Sequence, residues 1–480
     1  MEASKATQAR GASASGLKRH RGRVRGLFAC ALIAFSACAT LPDAPRMPAR
    51  VADPPVAFET AKGPVSDARS AAILERIRDQ AAPTDILGRH LAHEEAIHRD
   101  SPLVLGNRLV LLEDGPATYR AMFAAIRDAR DHVNLETYIF EAGRVGEAFA
   151  DLLLQKQRAG VQVNLIYDGI GSLGTPAAFF DRLREAGVRT LEYNPVNPAR
   201  AKNKDWTLNN RNHRKLLVVD GRVAFLGGIN ISETYSSGSG SGSGGGKKRR
   251  PPGWRDTHLQ IEGPVVAEFQ KTFIDTWARQ NGPPLPERNY FPRVARQGDG
   301  IVRAIASRAT DPDSPIYLTL LSAIAHAERS IRLTIAYFVP DPQMREALAA
   351  AARRGVDVEI ILPGKSDSWI VFQAGRSHYD EMLDAGVKLY ERREAILHSK
   401  TATIDGVWST IGSTNLDWRS FLHNDELNAV VLGSDFAGQM DAMFARDRAA
   451  STPIDAAQWR RRPFHLRVQE WIARRFEYWL

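Results

Sequence analysis

The stretch His213-Arg214-Lys215-Leu216-Leu217-Val218-Val219-Asp220 returns 185 residues later as His398-Ser399-Lys400-Thr401-Ala402-Thr403-Ile404-Asp405. Lysine stands two positions after each histidine and aspartate seven after it, and asparagine follows seventeen after it, at Asn230 and Asn415. One such pattern is a weak motif. Two with identical spacing, at equivalent points of a repeating chain, are strong evidence of a duplicated site. The apolar run behind each lysine reads as a strand, and side chains two apart on a strand face the same way. Each histidine and its lysine can therefore address one ligand.

Working outward, the flanks repeat as well. In the first copy Val133 to Phe140 alternates like a strand. A helical pattern follows through Phe149, Leu152, Leu153 and Leu154, then a buried-strand run from Val161 to Tyr167 behind Gly160, then a helix ending at Ala186-Gly187-Val188. In the second copy the strand is Ile331 to Phe338 and the helix Met344 to Ala351. Val356 to Leu362 follows Gly355, and a further helix ends at Ala385-Gly386-Val387. Strand–helix–strand–helix order in both copies predicts an α/β layered fold.

The chain has 480 residues, enough for two sizeable cores, and a formal charge of +9. Residues 1–37 hold seven basic side chains against the single acid Glu2, so the leader carries +6 of that charge. Lys247-Lys248-Arg249-Arg250 adds +4 at the end of a Ser/Gly tract running from Ser236 to Gly246. The rest of the body is nearly neutral, which argues against a nucleic-acid partner. The basic leader precedes an apolar run from Leu27 to Ala37, too short to span a bilayer comfortably, and reads as a secretory signal. Phe35-Ser36-Ala37-Cys38 resembles a bacterial lipobox, so lipidation at Cys38 and an extracytoplasmic, membrane-associated location are expected. Both cysteines, Cys30 and Cys38, lie in this leader, leaving the body without disulfides or thiolate metal sites.

The paired motifs resemble the HKD motifs of the phospholipase D superfamily. Tyr337-Phe338-Val339-Pro340-Asp341, Pro363-Gly364-Lys365-Ser366-Asp367, Asn415-Leu416-Asp417-Trp418-Arg419-Ser420-Phe421, Tyr167-Asp168-Gly169 and Trp254-Arg255-Asp256-Thr257-His258 look like bacterial cardiolipin synthases in particular. The resemblance covers roughly residues 100–450. It departs at the N-terminus, where such synthases commonly carry two transmembrane helices, and at the Ser/Gly insertion. It implies two α/β domains, each a mixed β-sheet flanked by helices, related by pseudo-twofold symmetry around a shared active site. Expected boundaries are a leader at 1–37, a Pro-rich tether with N-terminal helices at 38–99, a first domain at 100–290 with a disordered insertion at 236–252, and a second domain at 291–480.

The implied chemistry is phosphatidyl transfer through a phosphohistidine. One imidazole attacks phosphorus while the other protonates the departing alkoxide and later deprotonates the incoming hydroxyl. By analogy with relatives, His213 is the nucleophile and His398 the general acid/base. Lys215, Lys400, Asn230 and Asn415 would hold the non-bridging oxygens. The resemblance gives each histidine an orienting carboxylate on the strand after its motif: Asp256 for His213 and Glu426 for His398. Asp220 and Asp405 belong to the motif, but before Gly221 and Gly406 they read as structural turn residues. The mechanism calls for no metal and no cofactor. The implied partner is phospholipid, phosphatidylglycerol or a related anionic lipid, at a membrane surface. Hydrolysis to phosphatidic acid and a nucleic-acid phosphodiesterase remain the rival readings at this point.

Other motifs carry less. Gly169-Ile170-Gly171-Ser172-Leu173-Gly174 matches G-x-G-x-x-G, a weak signal alone. His93-Glu94-Glu95-Ala96-Ile97-His98 spaces its histidines five apart rather than four and reads as a solvated helix face. The C-terminal stretch interleaves Trp471, Ile472, Phe476 and Trp479 with Arg467, Arg474 and Arg475. This predicts an amphipathic helix that either meets a bilayer interface or docks on the second domain.

Overall fold

A computed structural model describes Leu41 and residues 55–239, 252–311 and 313–480. The leader, Cys38, most of the Pro-rich tether and most of the Ser/Gly/basic insertion lie outside the described residues. Among the described residues, seven principal strands build the first half: β1 (Leu103–Glu113), β2 (His132–Thr137), β3 (Gln162–Asp168), β4 (Arg189–Tyr193), β5 (Leu216–Val219), β6 (Val223–Gly227) and β7 (Thr257–Glu262). Seven equivalents build the second: β8 (Gly300–Ser307), β9 (Ser330–Ile335), β10 (Asp357–Pro363), β11 (Lys388–Arg392), β12 (Lys400–Ile404), β13 (Trp408–Gly412) and β14 (Asn424–Leu432).

The spatial order is β1-β7-β6-β5-β2-β3-β4 in one half and β8-β14-β13-β12-β9-β10-β11 in the other. In both halves the last three strands run parallel and the remaining neighbours antiparallel, a mixed sheet repeated with the same topology. The parallel strands are joined by crossover helices, as parallel neighbours must be. Helix Arg144–Arg158 links β2 to β3 and helix Pro342–Arg353 links β9 to β10. The first buries Val145, Phe149 and Leu153, one face at helical spacing. Gly160, Gly187, Gly355 and Gly386, with φ between +88° and +94°, end four such crossover helices and turn the chain into the next strand. Each occupies the left-handed position that a side chain would strain.

The two halves are joined more closely than separate domains would be. β1 pairs through Arg108–Glu113 with β7 of its own half, and through its first residues with β8 of the other. A core of side chains from both halves, including Leu216, Leu259, Phe273, Ile411, Leu427 and Val431, fills the space between them. The N-terminal helices Asp67–Gln80 and Arg89–Ile97 pack on the second half, burying Ile73, Leu74, Ile77 and Leu91 in its core.

The expectation of a solvated face at His93–His98 is corrected here. Glu94 is fully buried, paired with Arg303 at 3.2 Å and with His90 at 3.1 Å, and it accepts a hydrogen bond from Trp408 Nε1 at 3.1 Å. His98 is buried against Thr319 at 2.6 Å. A pattern of charged residues looked solvent-facing because Arg303, Thr319 and Trp408, which bury it, sit more than two hundred residues away.

Candidate active site

Both histidines sit where a chain segment crosses from one half to the other. Arg211–Asn212 pairs in parallel with Asn424–Asp425, and Arg255 bridges to Leu397. The backbone N–H of His213 donates to the Asp425 carbonyl at 2.9 Å, and that of His398 donates to the Arg255 carbonyl at 2.7 Å. These paired crossings bring the two motifs into one buried cluster. His213 and His398 are 8% and 5% exposed, and the lysines 2% each.

The crossings also exchange the carboxylates. His213 Nδ1 lies 3.0 and 3.1 Å from the two oxygens of Glu426, and His398 Nδ1 lies 2.7 Å from Asp256 Oδ2. The expected pairing within each repeat, Asp256 with His213 and Glu426 with His398, is therefore corrected: each half orients the other half's imidazole. The physical reason is the register of the crossings. Hydrogen-bonding His213 to residue 425 puts Glu426 next to its ring, and bonding His398 to residue 255 does the same for Asp256.

A carboxylate on Nδ1 selects the Nδ1–H tautomer and leaves the Nε2 lone pair free. Both rings are held neutral in the free protein. Burial, then Lys215, Lys400 and the other imidazole, keeps His213 well below the ordinary histidine range. Burial and Lys400 also lower His398, against the pull of Asp256. Burial draws Lys215 down to about 7 and Lys400 to about 8, with Glu426 and Asp256 opposing the fall. Burial lifts Glu426 to about 7, against Lys215 and a hydrogen bond from Ser413. Two lysines and two carboxylates thus share a buried site in which an added phosphate would favour the protonated forms of the bases.

The lysines are aimed by symmetric contacts. Lys215 Nζ donates to the His213 carbonyl and lies 5.3 Å from the Tyr138 ring centroid. Lys400 Nζ donates to the His398 carbonyl and lies 5.9 Å from that of Tyr337. Asn230 accepts from the Ile139 N–H at 3.1 Å and donates to the Tyr235 hydroxyl at 3.4 Å, so it braces the site's wall. Asn415 is buried, and its Oδ1 has no hydrogen-bond partner among the described residues.

Asp220 and Asp405, motif members that the sequence reads as structural turn residues, serve the backbone rather than the imidazoles. Each sits in a left-handed turn, φ +52°, at the far end of the motif strand. Asp220 accepts the backbone N–H groups of Arg130, Asp131 and His132 at 2.8–2.9 Å. Asp405 accepts those of Glu328, Arg329 and Ser330 over the same range. These carboxylates staple the motif hairpin to the start of β2 or β9.

Several site residues escaped the sequence reading. Tyr235 places its hydroxyl 3.2 Å from His398 Nδ1, and the Trp254 ring lies 5.4 Å from that imidazole. Asn212 is held by Glu136 at 2.7 Å and by Asp168 at 2.9 Å, which fixes the backbone immediately before His213. Arg214, the variable middle residue of the motif, is buried and donates to the carbonyls of Glu426 and Ser307 at 3.0 and 2.8 Å. An acid inside the apolar run of β2 was the one visible signal for Glu136. Tyr235 offered none. The G-x-G-x-x-G loop follows β3, where Gly169-Ile170-Gly171 wraps the Asp168 carboxylate rather than a dinucleotide.

Comparison with known proteins agrees with this geometry. The family model described as cardiolipin synthase, PLD-like domain, matches residues 122–238 and 320–448, one stretch in each half. A cardiolipin synthase of Geobacillus thermodenitrificans is 36% identical over 387 residues, covering 80% of this chain and 74% of the relative. One from Alkalihalophilus pseudofirmus is 34% identical over 405 residues, covering 83% and 77%. Among solved structures, the phosphatidylserine synthase of Haemophilus influenzae superposes with a TM-score of 0.60 at 12% identity, covering 81% of this chain and 99% of that one, a likeness of fold. Matched in both halves, and at this identity over most of its relatives' length, the chain belongs to the cardiolipin synthase family of the phospholipase D superfamily.

Proposed function

We propose that the protein is a phosphatidyltransferase that makes cardiolipin from phosphatidylglycerol. The observation that carries this reading is the exchanged pair of buried histidine–carboxylate contacts, with a lysine beside each ring. His213 Nε2 attacks the phosphorus of one phosphatidylglycerol, the bond to the glycerol headgroup breaks, and His398 gives its proton to the departing oxygen. The bound phosphodiester supplies the negative charge that lets His398 carry that proton in a site otherwise hostile to it. Lys215 and Lys400 meet the non-bridging oxygens. In the second step a headgroup hydroxyl of another phosphatidylglycerol yields its proton to His398, attacks phosphorus and releases His213. Both rings return to their starting state.

Purified protein with headgroup-labelled phosphatidylglycerol in mixed micelles tests this. Cardiolipin with one equivalent of labelled glycerol is expected. Phosphatidic acid in its place would assign water as the acceptor, and cleavage of DNA in a parallel reaction would move the protein to another substrate class.

The place of action is part of the proposal. The basic leader, the apolar run to Ala37 and the lipobox-like Phe35-Ser36-Ala37-Cys38 support an extracytoplasmic protein lipidated at Cys38. Among the described residues no helix is long and apolar enough to cross a membrane. Metabolic labelling with a palmitate analogue should be lost in Cys38→Ser; unchanged labelling rules the assignment out.

A further inference from the structure

The C-terminal segment docks on the second half with one face and leaves the other bare. Helix Phe464–Arg474 packs against helix Trp369–Arg376, burying Ala473 beside Ala374 and Val339. Glu470 is buried in the same contact and pairs with Arg462 at 2.8 Å. Beyond the helix, the Leu480 carbonyl accepts the Arg419 N–H at 3.1 Å, and the Tyr478 ring lies 5.5 Å from that of Trp418. Trp418 and Arg419 directly follow Asn415-Leu416-Asp417, so the segment is bolted to the second motif. The two alternatives read from the sequence, docking and a free amphipathic face, are thus two faces of one helix.

The bare face is unusually apolar. Phe464 is 78% exposed, Trp471 59%, Ile472 44% and Trp479 37%, and Trp369 on the adjoining helix is 54% exposed. Phe464, Trp471 and Ile472 fall seven and eight residues apart, one stripe of a helix. Within the C-terminal segment the exposed charges have one sign. Between 461 and 480 the exposed charged residues are Arg461, Arg467, Arg474 and Arg475. The two acids of that stretch turn to internal partners, Glu470 to Arg462 and Glu477 to His378 at 3.1 Å. Arg475 lies 4.8 Å from the Trp471 ring centroid, an arrangement that keeps a guanidinium at the level of the ring.

Exposed aromatic side chains interleaved with four exposed arginines, on a C-terminal segment whose own two acids turn inward, match the headgroup region of an anionic bilayer. A second copy of the chain would set these arginines against themselves across an isologous contact. The surface also reaches the site. Tyr337, whose ring faces Lys400, donates its hydroxyl to Asp367 at 2.7 Å, two residues before helix Trp369–Arg376 begins. We propose that this C-terminal aromatic–arginine face seats on an anionic phospholipid surface and holds the active site beside its substrate. The proposal rests on the phosphatidyl-transfer reading for the presence of lipid there, but its binding test does not.

The test uses the full chain with Cys30 and Cys38 replaced by Ser and Trp471→Cys carrying an environment-sensitive nitrobenzoxadiazole probe. Emission should rise and shift to the blue on phosphatidylglycerol vesicles, respond far less on phosphatidylcholine vesicles, and weaken with salt. The same probe at Asp151→Cys, on the exposed face of helix Arg144–Arg158 in the first half, should stay unchanged. Separately, Phe464→Ser with Ile472→Ser should lower turnover of vesicle substrate by about tenfold or more. Turnover of monomeric short-chain phosphatidylglycerol should stay within about twofold, because the site itself is untouched. A silent probe on anionic vesicles overturns the proposal, as does equal loss of turnover on both substrates. So does a dimer in sedimentation that Trp471→Ser dissolves, which would assign the face to a second copy. A responsive probe on a protein with no transferase activity keeps the surface and removes the reaction.

Discussion

Replacing Glu426 by Gln probes the exchanged carboxylates directly, because the sequence and the structure disagree about which imidazole it serves. Its two oxygens lie 3.0 and 3.1 Å from His213 Nδ1, and the carboxylate is fully buried. A hydrogen bond to a charged group is worth about 1.5–3 kcal/mol, roughly 10- to 150-fold in rate if it is held in the transition state. Glutamine can also present its amide N–H to Nδ1 and so select the wrong tautomer, which brings the expected loss to about 10²–10⁴-fold. Asp256→Asn should cost a similar factor on the natural lipid, through His398. A p-nitrophenyl phosphodiester separates the two. Its leaving group needs no protonation, so the burst of nitrophenol from the first half-reaction should survive largely intact in Asp256→Asn, as in His398→Ala. The burst should remain depressed in Glu426→Gln, and acid-labile label should sit on the His213 peptide. Rescue of Glu426→Gln with failure of Asp256→Asn would refute either the exchanged pairing or His213 as nucleophile. Label on the His398 peptide would then show that the histidine roles are reversed.

Four further outcomes are expected. Asp220→Ala and Asp405→Ala each strand three backbone N–H groups and should lose about 2–4 kcal/mol in urea unfolding, with turnover per folded molecule within a few-fold of wild type. Gly228→Ser should cripple transfer although Ser413 occupies the equivalent place, because a Cβ at 228 would lie 2.2 Å from Asp256 Oδ1; full activity would show that the Asp256 carboxylate can move without cost. With Lys215 and Lys400 drawn down to about 7 and 8, kcat/KM should fall as pH rises through that range and the ammonium charges are lost, and Lys215→Arg, which removes the lower of the two, should push the alkaline limb upward while lowering the maximum. Buried His98 and His258, lowered to about 3, stay neutral in the fold but take protons near 6.5 once unfolded. Stability should therefore decline as pH falls below 6.5, each histidine contributing up to about 1.4 kcal/mol per pH unit, and the urea midpoint of His258→Asn should depend less on pH.

Much of the molecule was legible in one dimension. The paired motifs announced a duplicated site because identical spacing is recorded in the chain itself. Gly160, Gly187, Gly355 and Gly386 marked the helix-to-strand turns, since a left-handed backbone is a local requirement that a single residue type meets best. The turn role of Asp220 and Asp405 was also local, set by the glycine that follows each. Burial of His90, Glu94 and His98 was not readable, because their partners Arg303, Thr319 and Trp408 come from elements far along the chain. Nor were Tyr138 and Tyr235 readable as walls of the site, for no periodicity separates a tyrosine facing a ligand from one filling a core; Tyr337 and Trp254 stood out only as members of stretches that resemble the family.

By itself, then, the amino-acid sequence determined the repeat, the α/β order and the two imidazoles with their lysines, while the carboxylates Asp256 and Glu426 came from the resemblance to the superfamily. Which carboxylate meets which imidazole belonged to the tertiary structure. Pairing within a repeat and pairing across repeats use the same residues at the same spacings, so nothing local distinguishes them. The choice is made where Arg211–Asn212 lies along Asn424–Asp425 and Arg255 meets Leu397. Those backbone hydrogen bonds exist only once the two halves have closed on their common core.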